Sequence, residues 1–220
     1  MYDFVRSKDK EFLMRMRSLC SDLTNQLVQY LNNNSELFVE SNMVGSGAKN
    51  LETQNDNKPI DLDYNLVILD SGNICINDCK AIKRCVRKAF NEILKKNELD
   101  NCDESTSVLT TKKMHFPKGN QTQFSIDLAI IRESNDSWYR LIHDKKSNCY
   151  IWNEGLNSKG LVNKVEWIKK KGLWNKVRTT YLEKKNMYLR RGESDDHPSF
   201  NCYVEAVNEV YKANKNKNAC

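Results

Sequence analysis

The sequence lacks any apolar run approaching the roughly 20 residues that span a bilayer. Its opening stretch, Met1 to Phe12, mixes charges among apolar side chains instead of presenting a signal-peptide core. These absences predict a cytoplasmic protein that does not enter a membrane. Cys-x-x-Cys pairs are missing as well, so the eight cysteines do not carry the spacing of a structural zinc site. Cys75, Cys79 and Cys85 come closest, and His115, His143 and His197 are scattered. Free, partly buried thiols are the expectation for a reducing compartment. No internal repeat occurs, and the one low-complexity tract is the Lys/Asn-rich end after Ala213. A P-loop is excluded, because Gly47-Ala48-Lys49-Asn50 does not supply its Gly-Lys-Ser/Thr.

What is present is a globular balance. Of 220 residues, 39% are hydrophobic and 29% charged, enough for a sizeable core in one bilobal unit or two small domains. The formal charge of +6 hides an asymmetry, since Arg140 to Arg191 holds 14 Lys and Arg against 4 Asp and Glu and leaves the remainder acidic. A basic lobe beside an acidic one suits a site that grips phosphates on one side and divalent cations on the other. The plainer reading of a Lys-rich stretch is a solvated helical face.

Apolar residues at Leu13, Met16, Leu19, Leu23, Leu27 and Tyr30 recur every three or four positions and predict a long amphipathic helix ending at Asn32 to Asn34. A strand over Leu37 to Val44 follows, then the turn Gly45-Ser46-Gly47, with a helix able to start at Ala48. Asn55 to Pro59 reads as a polar loop, and Leu62 to Leu69 as a buried strand opened by Asp61 and Asp63. A helix is expected from Asp78 to about Lys96, with Ile82, Val86, Phe90 and Ile93 or Leu94 inward. Two more strands, Ser105 to Met114 and Gln123 to Ile131, flank a turn at Pro117 to Asn120. Beyond about Trp138 the chain turns basic and aromatic, with helices over Lys159 to Lys170, Leu173 to Leu189 and Ser199 to Lys212. The predicted architecture is α+β: a mixed sheet flanked by helices over residues 1–137, including the N-terminal helix, and a helical basic C-terminal lobe over residues 138–220.

Side chains alternate along a strand, so Asp61 and Asp63 project to one side and Leu62 to the other. Two like charges at the end of an apolar strand repel and resist desolvation unless a cation neutralises them. Oxygen-only ligands favour Mg²⁺ or Mn²⁺. A third carboxylate, Asp127, interrupts the apolar strand Phe-Ser-Ile-Asp-Leu-Ala-Ile-Ile and also demands a partner. If the two strands are neighbours, three carboxylates meet. Each piece alone has an ordinary explanation: a solvated strand end, a plain connection, a carboxylate satisfied by backbone donors or an arginine.

The order is more specific than the pieces. A strand, Gly-Ser, a helix, Asp-x-Asp opening an apolar strand, and a lone Asp in a later strand resemble the DNA polymerase β-like nucleotidyltransferase superfamily over roughly Phe38 to Ile131. The resemblance implies a nucleotidyltransferase-type mixed sheet and a two-ion transfer of a nucleoside monophosphate from an NTP with release of pyrophosphate. It assigns Gly45 and Ser46 to the triphosphate, Asp61 and Asp63 to both ions, and Asp127 to the ion beside the attacking hydroxyl. The fourteen residues between Ser46 and Asp61 are long for the pattern and suggest an insertion at Asn55 to Lys58. The long first helix and helical second lobe are most similar to the cyclic-oligonucleotide and oligoadenylate synthases. That narrower likeness implies a triphosphate-binding Lys and a base-stacking Tyr on the second lobe, for which Lys164 and Tyr181 are the nearest candidates. The chain is short for such synthases, which leaves cyclisation open.

Three functions compete. One enzyme moves a nucleotide to a second nucleotide, to RNA or to a protein; another modifies an aminoglycoside or lincosamide antibiotic; a third possibility is a non-catalytic nucleotide- or RNA-binding module. The basic segment favours an anionic acceptor over a cationic drug. The three carboxylates disfavour a module that only binds phosphate.

Overall fold

The computed structural model describes residues 1–135, 137–155, 159–193 and 198–215; His197 and the end of the Lys/Asn-rich tail lie outside them. In chain order the elements are β1 (Tyr2–Phe4), α1 (Val5–Lys8), α2 (Lys10–Asn34), β2 (Phe38–Met43), a 3-10 turn (Gly47–Lys49), β3 (Thr53–Asn55), β4 (Ile60–Asp70) and α3 (Cys79–Lys96). Then come β5 (Asp103–Glu104), β6 (Leu109–Thr110), β7 (Phe124–Ser134), β8 (Ser137–Asp144), β9 (Cys149–Glu154), α4 (Lys159–Lys170), α5 (Trp174–Arg190) and α6 (Ser199–Lys215). They form two compact units, one of Asp9–Glu52 with Asn57–Gly155 and one of Met1–Lys8, Thr53–Asp56 and Leu156–Cys220. Among the described residues no helix is long and apolar enough to cross a membrane.

The larger unit is a mixed sheet in the order β2-β4-β7-β6-β5, with β8 also on β7 and β9 on β8. Among the described residues its one parallel pair is β4 with β7, and the other pairs are antiparallel. A parallel pair needs a crossover, and α3 lies between the two strands in sequence. Ile60, Leu62, Tyr64, Leu66 and Ile68 of β4 and Phe124, Ile126, Leu128 and Ile130 of β7 are buried along one face. Tyr64 Oη meets Ser21 Oγ of α2 at 3.0 Å, and the Phe124 ring stands edge-on to Phe12 of α2, so this face lies under α2.

The predicted helical stripes bury Leu13, Met16, Leu23 and Leu27 in α2, where Leu19 and Tyr30 are only half-buried, and Ile82, Val86, Phe90, Ile93 and Leu94 in α3. Each such side chain contributes about 1.5–3 kcal/mol. Asp9 caps α2 by accepting from Phe12 N at 2.9 Å and from Asn120 Nδ2 at 3.1 Å, and Asp78 caps α3 by accepting from Ala81 N at 2.9 Å.

Three sequence expectations change. The stretch from Ala48 is a single 3-10 turn, because Asn50 adopts a left-handed φ of 55° and Leu51 turns into the core. The strand expected over Ser105 to Met114 shrinks to Leu109–Thr110. Ser105 closes a turn onto Val108, and Lys112 and Lys113 leave the ladder, while Thr111 N still donates to Ile126 O at 3.0 Å and Met114 bridges Phe124. The basic, aromatic stretch after Trp138 begins as two strands, β8 and β9, and its helices start at Lys159.

In the smaller unit, β1 pairs antiparallel with β3, and Asn186 of α5 clamps Tyr2 from both sides, accepting from its N–H at 2.8 Å and donating to its carbonyl at 3.0 Å. Ile168, Val177, Tyr181, Tyr203, Ala206, Val207 and Val210 are among its buried residues, and Trp167 of α4 packs edge-on against Tyr211 of α6.

Candidate active site

The opposite face of the sheet carries the acids. Asp63 of β4 and Asp127 of β7 are register partners in the parallel pair, and Asp61 pairs with Ser125 one pleat earlier. Register partners lie about 4.8 Å apart and share a face, so all three carboxylates sit on one side of two adjacent strands. Thr110 of β6, opposite Asp127, donates its hydroxyl to Asp127 Oδ1 at 2.7 Å. Burial pushes the Asp63 carboxyl up to about 6, helped by the charges of Asp127 and Asp61 and opposed by Arg140 and Lys49. Asp127 is also raised, by burial above all, against the hydrogen bond from Thr110.

The Gly45 turn is built against these acids. Val44 N donates to Asp63 O at 2.8 Å, and Gly45 has φ +62°. A Cβ at Gly45 would lie 2.1 Å from Asp63 Oδ2, so the conformation favours glycine and a side chain there would displace the Asp63 carboxylate. Lys49 Nζ returns to Gly45 O at 2.9 Å. Arg17 of α2 pins the turn from outside, donating to Gly47 O at 2.7 Å and Asn50 Oδ1 at 3.1 Å while pairing with the buried carboxylate of Glu52. Ser46 opens the 3-10 turn with no side-chain cap bond. A three-residue turn has no helix dipole of consequence for a triphosphate, so what the segment offers is backbone close to Asp63.

Asp61 stands differently. Lys113 Nζ donates to Asp61 Oδ1 at 2.5 Å and to Ser125 Oγ at 2.9 Å, and the Ser125 hydroxyl donates to the same Asp61 oxygen. Among the described residues no three His, Cys, Asp or Glu side chains form a group that could hold a metal ion. The donor set still fits a hard divalent cation in its chemistry, with carboxylate oxygens only and an Asp63 whose ionisation two like charges oppose. Lys113 and Ser125 both engage Asp61 Oδ1, so an ion meeting that oxygen would compete with the ammonium.

Lys164 and Tyr181 belong to the smaller unit. Lys164 Nζ donates to Asn208 Oδ1 at 2.7 Å. Tyr181 is 2% exposed, and burial pushes its phenol up to about 12 against hydrogen bonds with Ser199 and Thr53. A ring so enclosed has no open face for a base, so Tyr181 is a packing residue here. It sits on the inner stripe of α5 with Val177.

Nothing in the sequence singles out Lys113, Arg17, Asn65 or Arg140. Asn65 Oδ1 and Arg140 Nε are buried without a hydrogen-bond partner, and both residues belong to the acidic face, Asn65 two residues beyond Asp63 and Arg140 opposite Ile131. Buried polar atoms are rarely left unpaired, and these two lie on the face that carries the acids. Only the alternation of β8 could have pointed to Arg140, and that strand was not foreseen.

No protein-family model matches the chain, and no curated protein is similar to it in sequence. Solved structures do match. Elizabethkingia meningoseptica CdnE, a cyclic dinucleotide synthase solved with GTP and Apcpp, aligns with TM-score 0.53 and 13% identity over 87% of this chain and 68% of its own. E. coli MS115-1 CdnC, solved with ATP, gives 0.54 and 15% over 94% and 62%. Escherichia coli DncV in its 3′-deoxy GTP-bound form gives 0.56 and 13% over 88% and 52%. The chain thus spans between 52% and 68% of the length of these three structures. It has their fold, a nucleotidyltransferase-type mixed sheet flanked by helices.

Proposed function

We propose that the chain is a metal-dependent nucleotidyltransferase that moves a nucleoside monophosphate from an NTP to a hydroxyl acceptor and releases pyrophosphate. The observation that carries this reading is the shared register of Asp63 and Asp127 on parallel strands, with Asp61 on the same face and the Gly45 turn pressed against Asp63. The fold supports it, since the similar structures were solved with nucleoside triphosphates or their analogues.

Two bound Mg²⁺ or Mn²⁺ ions would lower the pKa of the acceptor hydroxyl and neutralise the leaving pyrophosphate. Asp61 and Asp63 would hold them from one strand and Asp127 from the next. Asp127, one oxygen of which already accepts from Thr110, keeps a second oxygen for the acceptor's proton. The Gly45 and Ser46 backbone, bare of a Cβ where it meets Asp63, lets phosphate oxygens approach the acids. Arg140 Nε, buried and unpaired on this face, is placed to receive an anionic group of donor or acceptor. An anionic acceptor, such as a second nucleotide, an RNA end or a protein-borne phosphate, fits that charge better than a cationic antibiotic.

The Asp61–Lys113 ion pair favours a second reading, a nucleotide-binding module without turnover, because an acid whose charge is partly neutralised internally attracts an ion less. The experiment that separates the two incubates the protein with each α-labelled NTP and Mg²⁺ or Mn²⁺ and resolves the products. The expected result is labelled transfer product with pyrophosphate release, lost by more than about 100-fold in Asp63→Ala and Asp127→Ala, since even outer partners of metal ligands are worth 10- to 100-fold. Nucleotide binding without any product would overturn the enzyme in favour of the module.

A further inference from the structure

Lys113 has no part in the fold that its contacts explain. It is exposed on the segment that departs from β6, its side chain 39% accessible, yet its ammonium turns back onto the acidic face and is shared between Asp61 and Ser125. A lysine that only needed a solvated partner would find water. Here three carboxylates crowd one face of two strands, and Lys113 is hydrogen-bonded to one of them.

We infer that Lys113 is an internal counter-ion that stands in for a divalent cation: it holds Asp61 Oδ1 while no ion is bound and competes by its charge with an ion held among Asp61, Asp63 and Asp127. The inference rests on the ion-binding reading of these acids and deepens it. The physics is competition for a single carboxylate. An ammonium on Asp61 Oδ1 repels a dication that approaches the same carboxylate, so each weakens the other's hold. Ser125 is arranged for the exchange. Its hydroxyl donates to the Asp61 oxygen and accepts from Lys113, so it can keep Asp61 oriented after the ammonium leaves. The lysine stem is long and its head partly in water, so departure needs only side-chain rotation. The consequence is a protein whose acidic face is quiet at low divalent concentration and whose ion affinity is set by a residue that binds no ion.

The test is direct Mn²⁺ binding to nucleotide-free protein, followed by electron paramagnetic resonance of the free ion, for wild type, Lys113→Met, Lys113→Gln and Lys113→Arg. Removing the competing charge is expected to tighten Mn²⁺ binding about tenfold in Lys113→Met and Lys113→Gln, while Lys113→Arg, which keeps the charge, stays within about threefold of wild type. Adding Asp63→Asn to Lys113→Met is expected to abolish the gain, which places the ion on this face. Circular dichroism confirms that each variant is folded, and two neutral variants guard against one that is not. If the neutral variants bind Mn²⁺ as wild type does or more weakly, and the binding depends on Asp63, Lys113 is no counter-ion and the inference fails while the nucleotidyltransferase reading stands. If no variant binds Mn²⁺ in an Asp63-dependent way, the ion-binding reading itself fails and takes the inference with it.

Discussion

Gly45 adopts φ +62° with the Asp63 carboxylate where its side chain would be, a conjunction that makes one backbone atom the wall of the site. Gly45→Ala must both strain the left-handed backbone and push Asp63 away. The expected cost is about 1–3 kcal/mol of stability, read as a lower urea midpoint at unchanged slope. A substitution without effect would mean that Asp63 does not rest against the turn. The same residues explain what could be read in advance. Asp61, Asp63 and Asp127 were legible because an acid in an apolar strand breaks the alternation that pays for its burial. Lys113, Arg17 and Arg140 were not, since a lysine in a polar connection or an arginine on a helix looks like any solvated cation until the chain returns it to the site.

At the scale of elements, the long helices were legible because a period of three to four persists over many turns, as in α2 and α3. Short strands were not. Pairing partners, rather than the segment's own pattern, decide β5, β6 and β8, and β8 mixes Trp138, Tyr139 and Arg140 in a way that suits either a strand or an amphipathic helix. α5 carries a further test in Lys185, whose amine lies 4.0 Å from the Tyr2 ring centroid and donates to Thr53 Oγ1 at 2.9 Å. Burial lowers it from 10.5 to about 8, slightly opposed by Cys202. A lysine whose folded pKa is depressed penalises folding while both states are protonated, below about pH 8, and the penalty fades as pH rises toward the unfolded value of 10.5. Wild type is therefore expected to gain about 1–3 kcal/mol relative to Lys185→Met between pH 8 and 10.5. Parallel stability curves for the two proteins would show that the amine is no more buried than in the unfolded chain.

At the scale of the molecule, the first eight residues belong with the last helices rather than with the sheet that α2 covers. Asn186 makes two hydrogen bonds to Tyr2, and Arg178 lies over Phe4 at 4.5 Å from its centroid. Deleting residues 1–8 is expected to raise amide hydrogen exchange in α5 by an opening energy about 1–3 kcal/mol lower, with the protection of β4 and β7 unchanged. Loss of protection in both units would show that the division is not one of stability. The parallel pairing of β4 with β7 has a temporal side. Asp61 and Ser125 are 64 residues apart in sequence, and closing a flexible loop of that length costs roughly 4 kcal/mol of chain entropy. Non-local contacts of this kind assemble slowly. A nascent chain still held by the ribosome before Phe124 has emerged carries one half of the acidic face and no partner for it.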